Sequence, residues 1–93
     1  MIKITKTAEE QILNYFNGKE ITPIRVFLNN NVKPSLALEP DDLHENDIKF
    51  QPTKDLIMIA EKEFIEKIGD INIDFNGMGF NLTSKTKPIY NFY

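Results

Sequence analysis

The first part of the chain alternates apolar and polar residues and then changes to a helical pattern. Ile2 and Ile4 alternate with polar neighbours, which predicts a half-buried strand. The segment Thr7-Ala8-Glu9-Glu10 has the form of a capping box at the start of a helix. Apolar residues then recur at helical spacing: Ala8, Ile12, Tyr15 and Phe16. We therefore expect one strand followed by an N-terminal amphipathic helix, which the pair Asn17-Gly18 ends.

The rest of the chain predicts six further short strands and a second helix. Five segments alternate apolar and polar residues, and one is a continuous apolar run: 24–28, 36–38, 48–50, 71–75, 80–82 and the run 56–59. Glu61 to Ile68 carries Phe64, Ile65 and Ile68 on one helical face and is followed by Gly69. Asn76-Gly77 is the strongest signal for a two-residue hairpin turn.

These elements predict a mostly β domain of the α+β class. We expect a compact sandwich or barrel of about seven short strands, with the N-terminal helix and a short late helix. No repeat or low-complexity segment interrupts residues 1–84, which we interpret as a single domain, and residues 85–93 form a separate aromatic tail. A chain of 93 residues is about one domain long.

Composition narrows the chemistry that this domain can perform. The chain has no cysteine, which excludes disulfides, thiol nucleophiles and thiolate metal sites of its own. The net charge is −3 and the lysines are scattered, so we expect no nucleic-acid binding. The longest apolar run is too short to cross a bilayer, and no secretory signal is visible, so we expect a cytoplasmic protein.

Four segments, in this order, resemble a known family. They read "ITPIRVFLNN", "PSLALEPDDLHENDIKF", "LIMIAEKEFIEKIGDINIDF" and "NGMGFNL". Together with the predicted order of strands and helices, they resemble the A-type iron-sulfur carriers, also called HesB-like or IscA-like proteins, over residues 2–84. The resemblance implies the fold described above and a role in iron-sulfur cluster biosynthesis.

Members of that family carry or help to build iron-sulfur clusters, usually through three cysteines. The resemblance places the first cysteine in the turn at Asn30, Asn31 and Val32, and the other two within residues 84–93. No cysteine is present at these positions, so the ligand site is degenerate and we expect no cofactor. Asn30 and Asn31 tolerate the left-handed backbone of a tight turn, so the turn can persist without its ligand.

One acidic bend contains residue types that ligate metals. The candidates are Asp42, His44, Glu45 and Asp47, which could suit a hard or borderline divalent ion such as iron. A solvated connection between two strands is the alternative interpretation.

The tail contains three aromatic residues, Tyr90, Phe92 and Tyr93. Aromatic side chains are unfavourable in water, so we expect them to pack somewhere. They could form an additional strand on the domain itself, or they could dock into a partner or a second subunit.

Three functions follow from these patterns. The first is a non-enzymatic accessory or protein-interaction module that binds no cluster itself and acts by self-association or by contacting iron-sulfur assembly proteins. The second is metal binding through His44 and nearby carboxylates. The third is an enzyme, which we do not expect, because the sequence offers no nucleophile, cofactor fingerprint or acid/base pair.

Overall fold

The computed structural model describes residues 2–17, 19–29 and 35–84. The predicted ligand turn at Asn30, Asn31 and Val32 and the tail aromatics Tyr90, Phe92 and Tyr93 lie outside these residues. The described elements are, in chain order, β1 (Ile2–Ile4), α1 (Lys6–Tyr15), β2 (Ile24–Asn29), β3 (Ser35–Pro40), β4 (Asp47–Thr53), β5 (Leu56–Glu61), α2 (Lys62–Ile68), β6 (Ile71–Phe75) and β7 (Phe80–Ser84).

The strands form two sheets. The smaller sheet has the order β1-β6-β7 and the larger has the order β3-β2-β5-β4. The pairs β1/β6 and β2/β5 are parallel, and the other pairs are antiparallel. The predicted mostly β architecture, with seven short strands and two helices, is confirmed.

One hydrophobic core joins the two sheets and α1. Its side chains come from the apolar positions of the sequence pattern: Ile2, Ala8, Ile12, Phe16, Ile24, Val26, Leu56, Met58, Ala60, Ile68, Ile71 and Ile73. Burying each large aliphatic side chain contributes about 1.5 to 3 kcal/mol. Neither described helix is long and apolar enough to cross a membrane.

The N-cap of helix α1 lies two residues before the start of the predicted capping box. Thr5 is the N-cap, and its hydroxyl accepts a hydrogen bond from the Ala8 amide at 3.2 Å and donates to Asp74 Oδ1 at 2.8 Å. The prediction of a cap at Thr7 is wrong, because the Thr5 amide still donates to the Ile73 carbonyl beside β1. The helix can therefore start as soon as this strand contact ends.

The hairpin between β6 and β7 is confirmed, but its central residues are Gly77 and Met78 rather than Asn76 and Gly77. The Asn76 amide donates to the Gly79 carbonyl at 3.2 Å, and the Asn76 side chain accepts from the amides of Met78 and Gly79. Gly77 has φ of 90°, the positive value that a glycine at the first central position supplies.

We predict that Thr5→Ala lowers the free energy of unfolding by about 1 kcal/mol, the usual value of an N-cap hydroxyl. The control is Thr7→Ala, whose exposed side chain lies in the first turn of α1 and should change stability by less than about 0.5 kcal/mol. Urea unfolding of the two variants measures both. Equal losses would show that Thr5 is not the effective cap.

Candidate functional site

The side chain of Arg25 lies buried at the start of β2. Arg25 is the only arginine in a chain whose other ten basic residues are lysines, and its side chain is 9% exposed. A guanidinium keeps its charge when buried and presents five donors in a planar fork, so it requires acceptors around it.

Two aspartates supply most of these acceptors. Arg25 Nε donates to Asp41 Oδ2 at 2.7 Å, while Nη1 and Nη2 donate to the two carboxylate oxygens of Asp47 at 2.8 and 2.6 Å. The Asp42 carbonyl lies 3.2 Å from Nη2, and His44 Nδ1 lies 3.3 Å from it. Bidentate charge-assisted pairs of this kind are among the strongest hydrogen bonds in proteins.

The strand register brings these groups together. Asp41 follows β3, and its amide donates to the Pro23 carbonyl next to β2 at 3.1 Å. Asp47 begins β4, and the amide of His44 donates to its Oδ2 at 2.6 Å. The bend between β3 and β4 therefore closes over Arg25, and the Asp47 side chain is 1% exposed.

The pairing shifts the pKa of each charged group. Hydrogen bonding to Asp47 raises the pKa of Arg25 above its ordinary value, against the opposing effect of burial. The hydrogen bonds from Arg25 lower the pKa of Asp47 to about 2, and they also lower the pKa of Asp41. All three groups are charged at neutral pH.

A groove of about 710 Å³ opens beside this cluster. Its lining comes from β2, the bend and the region of α2: Arg25, Val26, Phe27, Leu28, Asp41, His44, Glu45, Asn46, Asp47, Glu61, Glu63, Phe64 and Lys67. Five carboxylates face two cations, so the lining is acidic. Glu45, Glu61 and Glu63 are exposed, and no ion pair joins them to another described residue.

The groove exists because β2 and β5 separate. Their described parallel register consists of Ile24 with Met58 and Arg25 with Ile59. Beyond Arg25, β2 pairs only with β3 among the described strands, whereas the chain after β5 turns into α2. The Lys62 amide donates to the Asn46 carbonyl at 3.0 Å, which holds the start of α2 against the bend. One backbone edge of Val26 to Leu28 therefore faces the groove.

The four predicted metal ligands have different positions. Asp47 and His44 contact Arg25, Asp42 contributes its backbone carbonyl, and the side chain of Glu45 lines the groove. Among residues 2–17, 19–29 and 35–84, no group of three or more His, Asp or Glu side chains has the arrangement of a metal site. The metal interpretation stays a prediction.

Sequence reasoning missed Arg25 itself. It treated Arg25 as one of the alternating residues of β2 and assigned it no role. The available signal was the single arginine of a lysine-rich chain, together with the acids of "PDDLHEND". Arginine is the preferred cation for buried pairs with carboxylates, because lysine cannot bind two oxygens in one plane.

The Arg25 cluster lies at the start of β2, whereas the predicted ligand turn follows the end of β2 in the sequence. In the β2/β3 register, Ile24 lies opposite Pro40 and Asn29 lies opposite Ser35. The bend with Asp41 follows the first pair, and residues 30–34 connect the second. A strand of this length spans roughly 17 Å, so the acidic bend is remote from the Asn29 end of β2, which precedes the predicted ligand turn in the sequence.

Comparison with solved structures identifies the architecture. A crystal structure of IscA with a [2Fe-2S] cluster superposes with a TM-score of 0.68 at 13% identity, and the match covers 94% of this chain and 83% of that one. The fold is that of the A-type iron-sulfur carriers. Escherichia coli SufA, described as involved in the biosynthesis of iron-sulfur clusters, matches with a TM-score of 0.67 at 11% identity, over 91% of this chain and 79% of SufA. The chain matches no protein-family model and no curated protein.

The residues of this A-type fold do not fit an iron-sulfur cluster. Protein-bound clusters are held by cysteine thiolates, with histidine replacing cysteine on one iron of Rieske centres. This chain has no cysteine, and its one histidine, His44, lies in the Arg25 bend. The chain therefore cannot supply the usual ligand set from its own side chains.

The Asp47 pair makes stability depend on pH. The folded-state pKa of about 2 lies below the ordinary value of 3.8, so the pair stabilises the fold above pH 4 and loses its contribution as pH falls towards 2. We predict that Asp47→Asn lowers stability at pH 7 and reduces the loss of stability between pH 4 and 2. Urea unfolding across this pH range measures both effects.

The matched control for that experiment is Asp42→Asn. It removes a carboxylate from the same bend but keeps the backbone carbonyl that accepts from Arg25. An identical pH profile for Asp42→Asn and Asp47→Asn would contradict the assignment of the acid-sensitive contribution to Asp47.

Proposed function

We propose that this protein is a non-enzymatic accessory domain of iron-sulfur cluster assembly that binds a protein partner and carries no cluster of its own. The observation that supports this most strongly is the A-type carrier fold in a chain without a single cysteine. The solved structures with this fold include one of a protein involved in cluster biosynthesis, which supports the choice of pathway.

The groove beside Arg25 is the surface that we assign to the partner. Its exposed acids, Glu45, Glu61 and Glu63, favour a basic segment. The half-buried side chains of Phe27, Leu28 and Phe64 offer apolar contacts in the same groove. The edge of β2 at Val26 to Leu28 that no described strand pairs with can bind an extended backbone, as in recognition by strand addition. The partner is therefore an extended segment with basic and aromatic side chains.

The Arg25 cluster supports this role because its hydrogen bonds join β2 to the bend that lines the groove. Arg25 is neutralised internally by Asp41 and Asp47, so the acids left to attract a partner are those around the groove. Exposed charges at such a surface mainly govern the rate of association and the choice of partner.

We predict that tagged protein captures iron-sulfur assembly proteins from extracts of its own host, and that Glu45→Lys/Glu63→Lys abolishes this capture. Like charges would then oppose the basic partner segment. Quantitative mass spectrometry of the captured proteins provides the measurement.

The control variant is Glu10→Lys/Glu66→Lys. It makes the same change in net charge at two exposed glutamates of α1 and α2 that do not line the groove, and it should capture the same proteins as the unmodified chain. Equal capture by the two double variants, or capture without any iron-sulfur assembly protein, would contradict the proposal.

A further inference from the structure

We propose that residues 85–93 of the chain dock in the groove between β2 and α2 and compete there with the partner. This inference rests on the proposed function, because it takes the same groove as the docking surface. In this proposal, the tail of the same chain occupies that surface before a partner binds.

The last described residue places the start of this segment next to the groove. The Ser84 hydroxyl donates to the carbonyl of Ile68 at 2.7 Å, and Ile68 is the last residue of α2. Lys67 and Phe64, which precede it in the same helix, line the groove. Phe64 lies four residues before Ile68, about 6 Å along the helix axis. The chain therefore leaves β7 beside a wall of the groove.

The segment is longer than the wall that α2 forms along the groove. Nine residues in extended conformation span at most about 30 Å. The seven residues of α2 extend only about 10 Å. Residues 85–93 are therefore long enough to pass α2 and reach β2.

The chemistry of the segment complements the groove. Lys85 and Lys87 are its only charged side chains, and they would meet the exposed acids Glu45, Glu61 and Glu63. Tyr90 and Phe92 are two residues apart, so an extended backbone presents both on one face. Phe27, Leu28 and Phe64 supply the apolar surface opposite them.

The open edge of β2 supplies backbone partners for the same segment. Among the described elements, Val26 to Leu28 pair only with β3. Pro88 is compatible with this arrangement, since proline is tolerated in an edge strand. The tail therefore matches the partner chemistry inferred for the groove in charge and in aromatic content.

The test compares amide hydrogen exchange and NMR spectra of the 93-residue chain with those of a chain that lacks residues 85–93. We expect the deletion to accelerate exchange of groove-facing amides in Val26 to Leu28 by about tenfold or more and to shift the Phe64 resonances. Unchanged exchange and unchanged Phe64 resonances would overturn the proposal.

A second variant keeps the length of the chain. Tyr90→Ser/Phe92→Ser should reproduce the effect of the deletion, whereas Tyr15→Ser, which removes an exposed aromatic ring of α1 outside the groove, should not. Light scattering distinguishes a tail that docks in its own chain from a tail that docks in a second copy. A monomer supports docking within one chain, whereas a dimer that the deletion dissociates places the tail in a second copy and overturns the assignment.

The outcomes separate this inference from the proposed function. If the deletion leaves Val26 to Leu28 unchanged but Glu45→Lys/Glu63→Lys abolishes partner capture, the inference is wrong and the proposed function stands. If the deletion exposes β2 but both double variants capture the same proteins, the tail docks and the proposed function is wrong. If both are correct, deletion of the tail increases capture.

Discussion

The buried guanidinium of Arg25 is the constraint on which the site depends. Removing such a charge from water is unfavourable by several kcal/mol, and the penalty is offset only when carboxylates surround it in good geometry. Asp41 and Asp47 meet this requirement from the two ends of one bend. The pairing thereby joins β2, the bend and β4, and the hydrogen bond from Lys62 to Asn46 extends this connection to α2.

The pairing of Arg25 with Asp47 also bears on whether the acidic bend can bind a metal ion. The two oxygens of Asp47 accept hydrogen bonds from Nη1, from Nη2 and from the His44 amide. A divalent ion that used Asp47 would compete with these three donors and would leave Arg25 with Asp41 as its only carboxylate partner among the described residues. The Arg25 guanidinium therefore already supplies a positive charge to the carboxylates of the bend. What remains for recognition is the groove that forms where β2 separates from β5.

The strands and helices are predictable from the sequence, because the spacing of their apolar residues reflects which side chains are buried. Ile71 and Ile73 face the core as their alternation indicates, and α2 ends at Ile68 with Gly69 as its C-cap, where the φ of 75° suits glycine. Local signals were less reliable where tertiary contacts compete with them. Thr5 rather than the predicted Thr7 caps the helix, because the hydrogen bond from the Thr5 amide to the Ile73 carbonyl fixes where the strand region ends.

The candidate site was only partly predictable. The acids were visible in the sequence, but their common partner, Arg25, lies 16 residues before Asp41 and reaches it through the pairing of β2 with β3. The groove was not predictable, because it depends on two strands that pair at one end and separate at the other. Neither feature has a local sequence pattern.

The most direct test of the account is the iron and acid-labile sulfide content, with a visible spectrum, of protein purified without oxygen from its own host. IscA prepared in parallel serves as the positive control for handling. The account predicts a colourless protein with substoichiometric iron and sulfide, because the chain has the carrier fold and none of the thiolates that hold a cluster. Stoichiometric iron and sulfide would contradict it. Iron without sulfide that is lost in His44→Ala would contradict it as well and would favour a metal site in the acidic bend.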